Sequence, residues 1–358
     1  MRASIVLATA TCLVVGIAGF THVASGADRS DPVAAQSTGT PPARVGHMFT
    51  GNGASGADAN RLYLYGGDDD GIVPVLDDLW YYQTGSNAWA RVTPNGKSRP
   101  GPRMLAGWSC GGGTCVLEDG SKGTGLINET WTYDEAANAW SKVSCTAARP
   151  CPSGREAPTM AYDPTTGLHL LFGGSSLSYR VRPSANFDDT YTFNAAMRQW
   201  AKLSPQHKPS PREGAAAAFV PGVGVVLFGG TDLSNVLCDM FVWTGADWVA
   251  VSVGNRGPCL AGHSMAWTGT NLIVAGGWLE GGLGNSATYR FQFNADGRSG
   301  TWATSSPGTC QNPTGGTDTV IHLGVKMAAD DTLPPTRVYF GGRDQSGTFY
   351  DNTVECTD

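Results

Sequence analysis

Charge is scarce in this chain. Asp, Glu, Lys and Arg make up 15% of its 358 residues, and the balance is −6. A nucleic-acid binder needs a basic footprint, and none is present. Helical periodicity is also missing: outside the N-terminus, no long apolar stripe recurs at 3.6-residue spacing. Beyond the first twenty or so residues, no run is apolar for long enough to cross a membrane. No CxxC pair occurs, which argues against a cysteine zinc site. Turn formers and large rings are what the chain does have, with 49 Gly, 21 Pro and 11 Trp. Short apolar runs between Gly, Pro, Asn and Asp clusters are the pattern of an all-β protein, and so many tryptophans argue for a buried core.

The first residues, MRASIVLATATCLVVGIAGFTHVASGA, join one basic residue to an apolar run and then small residues. This predicts a signal peptide over 1–27, a secreted or periplasmic location, and no membrane attachment after cleavage. Cys12 leaves with it. Eight cysteines remain, and an even number in an exported chain predicts four disulfides. Cys110 and Cys115 flank GGGT, Cys145 and Cys151 bracket TAARP, and Cys238 and Cys259 are neighbours in order. Cys310 is left with Cys356.

A repeat runs through residues 28–358. Apolar runs stop at glycine pairs in RLYLYGG, LHLLFGG, VVLFGG, NLIVAGG and RVYFGG, and Trp89, Trp140, Trp200, Trp248 and Trp302 recur at intervals of 51, 60, 48 and 54. A period near fifty is the mark of a repeat architecture. Each unit reads as four strands; the fourth runs REGAAAAFV, GVVLFGG, VLCDMFVWT, DWVAVS. One such sheet cannot cover both of its faces, whereas sheets set radially cover one another.

The glycine doublet, an aromatic about fourteen residues on, an Asn or Asp shortly before a Trp, and Pro-x-Arg opening the next unit resemble the kelch repeat. They are seen in DDLWYYQTGSNAWARV, DDTYTFNAAMRQWAKL, PGPRM and PSPRE. The resemblance covers Arg44 to Glu355 and implies a six-bladed β-propeller of four-stranded antiparallel blades. First strands are expected near Arg44, Arg103, Arg155, Arg212, Gly262 and Thr317. Blade two departs from the pattern, with Glu118 and Asp119 where the doublet belongs. Blade six stops after a third strand, so residues 33–38 (VAAQST) are expected to supply its outer strand and close the ring.

Four sets of residues could carry function. Arg44, Arg103, Arg155 and Arg212 share one repeat position, which the resemblance places at the channel mouth. There they would grip a carboxylate or sugar acid, unless each bonds loop carbonyls or an acid instead. The residue after each doublet is placed near the same mouth, giving Asp68, Ser175, Thr231, Trp278 and Arg343; Trp278 would stack on a sugar unless it is packed. His47, His263 and His322 fall at similar places in blades one, five and six, and three imidazoles would suit copper or zinc. Galactose oxidase, a copper enzyme with similar blades, has a Tyr before such a His; here Gly46, Gly262 and Ile321 stand there, and no cysteine is left unpaired. Asp68, Asp69 and Asp70, with Asp77 and Asp78, read as a solvated acidic loop.

With no catalytic set in view, the expectation is a monomeric binding module for a protein loop or glycan, without cofactor. The alternative is a sugar-metabolising enzyme resembling the sialic acid mutarotases.

Overall fold

The computed structural model describes residues 39–51, 60–69, 75–176, 185–232, 234–305, 309–311, 326–329, 336–343 and 348–357. They form six sheets, antiparallel except for one strand pair in blade five, each built from one stretch of chain. Blade one has an inner strand Met48–Gly51, then Arg61–Gly67, Leu76–Gln83 and an outer strand Ala88–Arg91. The inner strands of the others are Gly107–Gly111, Thr159–Asp163, Ala216–Val220, Ser264–Trp267 and Lys326–Ala329. Each inner strand lies against those of its two neighbours, and Met48–Gly51 touches both Gly107–Gly111 and Lys326–Ala329. The ring therefore closes as a six-bladed β-propeller. Blade five carries a fifth strand, Ser252–Val253, parallel to Ser299–Ser305.

The core is divided: each of the six gaps between adjacent sheets holds its own cluster of buried apolar residues. The periodic tryptophans fill these gaps. Four of the five pack on the aromatic that precedes the previous blade's doublet. Trp89 lies on Phe340, Trp140 on Tyr65, Trp248 on Phe172 and Trp302 on Phe228, with ring centroids 4.7–5.4 Å apart. Three of them also donate an indole N–H across the gap: Trp89 to Thr353 Oγ1 (2.8 Å), Trp200 to Thr130 (2.9 Å) and Trp248 to Thr190 (3.0 Å).

The glycine pairs have a steric cause. The second glycine donates its N–H to the carbonyl of the residue opening the next blade: Gly67 to Arg103 (3.0 Å), Gly174 to Arg212 (2.8 Å), Gly230 to Leu260 (2.8 Å) and Gly342 to Arg44 (3.0 Å). A Cβ on the first glycine would stand 2.3 Å from that carbonyl oxygen at Gly66 and 2.4 Å at Gly229, and both have positive φ. At these two positions a side chain would have to displace the next blade. In blade two Gly120 makes the same bond to Arg155, so Asp119 holds the first place, at φ 54°. Glu118 then takes the aromatic position rather than a doublet position, and its carboxyl group accepts from the Thr130 hydroxyl.

All four expected disulfides are present: Cys110–Cys115, Cys145–Cys151, Cys238–Cys259 and Cys310–Cys356. The last joins two strands of blade six. Residues 33–38, expected as that blade's outer strand, lie outside the described residues, as do the signal segment 1–27, Asp70, Thr317 and His322. In the structure the place beside Thr353–Thr357 is taken by Thr309–Gln311, with Cys310 opposite Cys356 in register. Blade six thus draws its outer strand from just ahead of its own inner strand.

Candidate functional site

The four mouth arginines follow the alternative reading: all are buried and engaged inside their own blades, and Arg155 also lies 4.0 Å from the Asp119 carboxyl of blade two. Arg44 donates to the carbonyls of Pro42 and Gly66 and grips Asp78 through both terminal nitrogens at 2.7 and 2.8 Å. Arg155 does the same with Ser153, Gly173 and Asp189, and Arg212 with Ser210, Gly229 and Asp239. Arg103 bonds Gly101, Asp119 O and Glu129. Glu129, Asp189 and Asp239 immediately precede the third strand, and Asp78 lies near its start. Burial alone would raise the Asp78 carboxyl, but the Arg44 guanidinium and the Trp80 indole N–H hold it below its usual value. The expected anion site is corrected on this geometry: these donors tie the second strand to the third. Asp78, read above as solvated, is one of the partners.

Blade five shows the same joint without charge. Leu260 stands where the arginine would be and Ala287 where the acid would be, while Asn285 donates to the carbonyls of Gly276 and Ala287 at 2.9 Å.

The residues after the doublets do gather at one end. Backbone bridges pair Asp68 with Val45, Ser121 with Met104, Ser175 with Glu156, Thr231 with Glu213, and Trp278 with Ala261. These equivalent pairs form a rim. Asp68 is buried there, while Arg343 and Trp278 are half-buried. Trp278 packs on Gly262, where an added Cβ would meet its ring at 2.1 Å, so one face of the indole is covered. Beyond it, the blade-five loop turns through Glu280–Gly282 and presents Leu283, 64% exposed.

Two acids on this rim escape the sequence reading. Glu156 and Glu213 directly follow Arg155 and Arg212; they are bonded by Ser121 and Ser175 of the preceding blades. Burial raises both carboxyls, Glu156 to about 8 with the Glu213 charge adding to the rise. The signal was there in the two Arg-Glu dipeptides. A second missed feature is GWSCG, Gly107 to Gly111, which has the spacing of a nucleophile elbow. It lies flat in an inner strand, with the Ser109 hydroxyl buried 2.7 Å from His169 Nδ1. A nucleophile elbow needs a sharp strand-to-helix turn, and this is not one.

His47 and His263 lie in the wall of the central cavity, about 610 Å³, which the six inner strands enclose. Lys326 lines up with Met48 and Ser264, so the position equivalent to the two histidines is 325 rather than 322. The three-histidine alignment does not hold. Among the described residues no group of three His, Cys, Asp or Glu side chains is placed to bind a metal.

Residues 27–230, more than half of the chain, match the KLHDC2/KLHL20/DRC7 kelch-repeats domain. The chain belongs to the kelch-repeat family. It is similar to tip elongation aberrant protein 1 of Schizosaccharomyces pombe, 24% identical over 188 residues that cover 51% of this chain and 16% of that protein. It is similar to Kelch domain-containing protein 10 of Xenopus tropicalis, 25% identical over 189 residues, 48% of this chain and 40% of that one. Human Kelch domain-containing protein 3 is 26% identical over 183 residues, 48% and 45%. The chain spans less than half the length of these curated relatives. No helix among the described residues is long and apolar enough to cross a membrane.

Proposed function

We propose that this kelch propeller is a secreted protein-interaction module that takes a loop of its partner at the doublet-end rim. The observation that carries this is Leu283. Among the described residues only it and Met197, at 64% and 66%, are large apolar side chains left exposed. Leu283 projects from the loop that begins at the half-buried Trp278, on the end of the ring where the doublet loops gather. An exposed leucine beside an aromatic, rimmed by polar residues, is the composition of an interface centre. Four disulfides support an oxidising compartment. The sugar-acid reading loses its main support, because the arginines that would carry it are engaged inside the blades.

A photo-crosslinking amino acid placed at Leu283 tests the reading, with the same substitution at Met197 as control. A discrete protein adduct from position 283 and none from 197 is the expected result. Equal adducts from both positions would overturn it. So would a glycan-array signal that Trp278→Ala removes, and that outcome would favour the carbohydrate alternative.

A further inference from the structure

Asn128, Glu129 and Thr130 spell Asn-x-Thr, the acceptor motif for N-linked glycans. The chain has one other asparagine with Ser or Thr two places on, Asn312, and Pro313 between them rules it out. Such a motif has a mechanism only on an accessible loop, and Asn128 meets that condition. It is exposed, between the Ser121–Leu126 bridge and the third strand of blade two, Thr130–Asp134. Its side-chain amide makes no hydrogen bond among the described residues. It borders an open groove of about 760 Å³, whose other walls are the Cys145–Cys151 loop and residues 186–189 of blade three. The first sugars of a glycan have room there, beside the polar side chains of Ser153, Asp188 and Lys202.

Thr130 fixes when a glycan can be added. Its hydroxyl is fully buried: it donates to the Glu118 carboxyl group and accepts the Trp200 indole N–H at 2.9 Å. Trp200 stands on the outer strand of blade three. The transferring enzyme reads the threonine hydroxyl of the motif, and in the finished protein that hydroxyl is taken. The motif is therefore open only until Trp200 docks, while the chain is still being made.

We propose that Asn128 carries an N-linked glycan, added during synthesis from a lipid-linked oligosaccharide before blade three closes on blade two. The Asn128 amide nitrogen bonds the anomeric carbon of the first sugar and gives up one proton. The bond from that carbon to the carrier's pyrophosphate oxygen breaks, and the lipid pyrophosphate leaves with the electron pair. Such donors are met only on a secretory route, so the glycan depends on the secretion proposed above. Blade two lies three places round the ring from blade five, so the glycan stands opposite Leu283 and leaves that part of the rim open.

Translation of the full chain with endoplasmic-reticulum microsomes separates the two proposals. Protection from added protease reports translocation, and a mass shift removed by peptide N-glycosidase reports the glycan. The expected result is a protected chain with one such shift, absent from Asn128→Gln. A protected chain without the shift, or a shift that persists in Asn128→Gln, would overturn the site and leave the secretory route standing. An unprotected chain would overturn both. Timing is tested with unmodified protein from a host that lacks the transferase. Purified oligosaccharyltransferase should modify the reduced and alkylated chain at least about tenfold faster than the folded one, whose Thr130 is reached only by local opening. Equal rates would refute the locked hydroxyl.

Discussion

At the scale of single residues, the arginine joints give the sharpest test, because the protein contains its own apolar version. Removing one partner of a buried ion pair leaves an uncompensated charge, which costs about 3–5 kcal/mol. Arg44→Leu should therefore lower the urea midpoint strongly. Adding Asp78→Ala, which copies Leu260 and Ala287 of blade five, should recover at least half of the loss. A double variant no better than the single one would show that the pair does more than hold two strands together. The tryptophans allow a second comparison. Trp89→Phe removes a 2.8 Å bond to Thr353 and should cost about 1 kcal/mol beyond lost packing. Trp302→Phe should lack that increment, since the Trp302 indole nitrogen has no partner among the described residues; blade four has Met240 where blades two, three and six have threonine. Equal costs would refute the account. Positions were legible in the sequence at this scale, and partners were not. The arginines recur visibly, yet whether a guanidinium faces a channel or an acid some thirty residues on depends on side-chain direction, which spacing does not encode. Asp78 was hidden inside an acidic run that looked solvated.

Among the elements, Thr309–Gln311, an outer strand of three residues, depends most on a covalent tie. It is too short to hold by ladder bonds alone, and Cys310–Cys356 fixes it to the third strand. That bridge closes a loop with a sequence separation of 46, worth about 4 kcal/mol on the loop-closure estimate. Cys110–Cys115, with a separation of 5, comes to about 2 kcal/mol on the same estimate. The pair substitution Cys310→Ala with Cys356→Ala should thus lower Tm more than Cys110→Ala with Cys115→Ala. Amide exchange should rise first over Thr353–Thr357. Equal Tm losses, or exchange that rises uniformly over all blades, would refute this. The repeat made the blades readable, and the number and order of the cysteines made all four bridges readable. The origin of this short strand was not, because three residues carry no periodicity.

Taken whole, the molecule buries acids and bases of opposite pH behaviour. Glu118, Asp119, Glu156 and Glu213 are raised, chiefly by burial. The unfolded chain ionises them near the ordinary carboxylate value while the fold keeps them protonated longer. Stability from these groups is therefore greatest at low pH and falls as pH rises toward 8, because the folded state binds more protons. His47, His169 and His263 are lowered by burial and act the other way, but only below about pH 6.5. Between about pH 6.5 and 8 the acids dominate, opposed toward the upper end by Lys326, whose ammonium burial lowers to about 8. The urea midpoint should fall across that window, and Glu156→Gln should flatten the slope. A rising midpoint would contradict the burial of these carboxyls. The fold that produces this was plain from the glycine and tryptophan spacing, since those residues answer to sterics repeated in every unit. Functional chemistry answers to single positions, and there the repeat gives no guidance. One feature of the ring bears on its mechanics. Each described blade takes all its strands from one continuous stretch, so no strand of blade one is woven into blade six. Their seam is held by the Trp89–Phe340 contact, the Trp89–Thr353 bond and backbone bonds such as Gly342 to Arg44. Pulled from its two ends, the ring should part at that seam like a split washer. A first, low-force step with every blade still intact, followed by the rupture of individual blades, is the trace that optical tweezers would record.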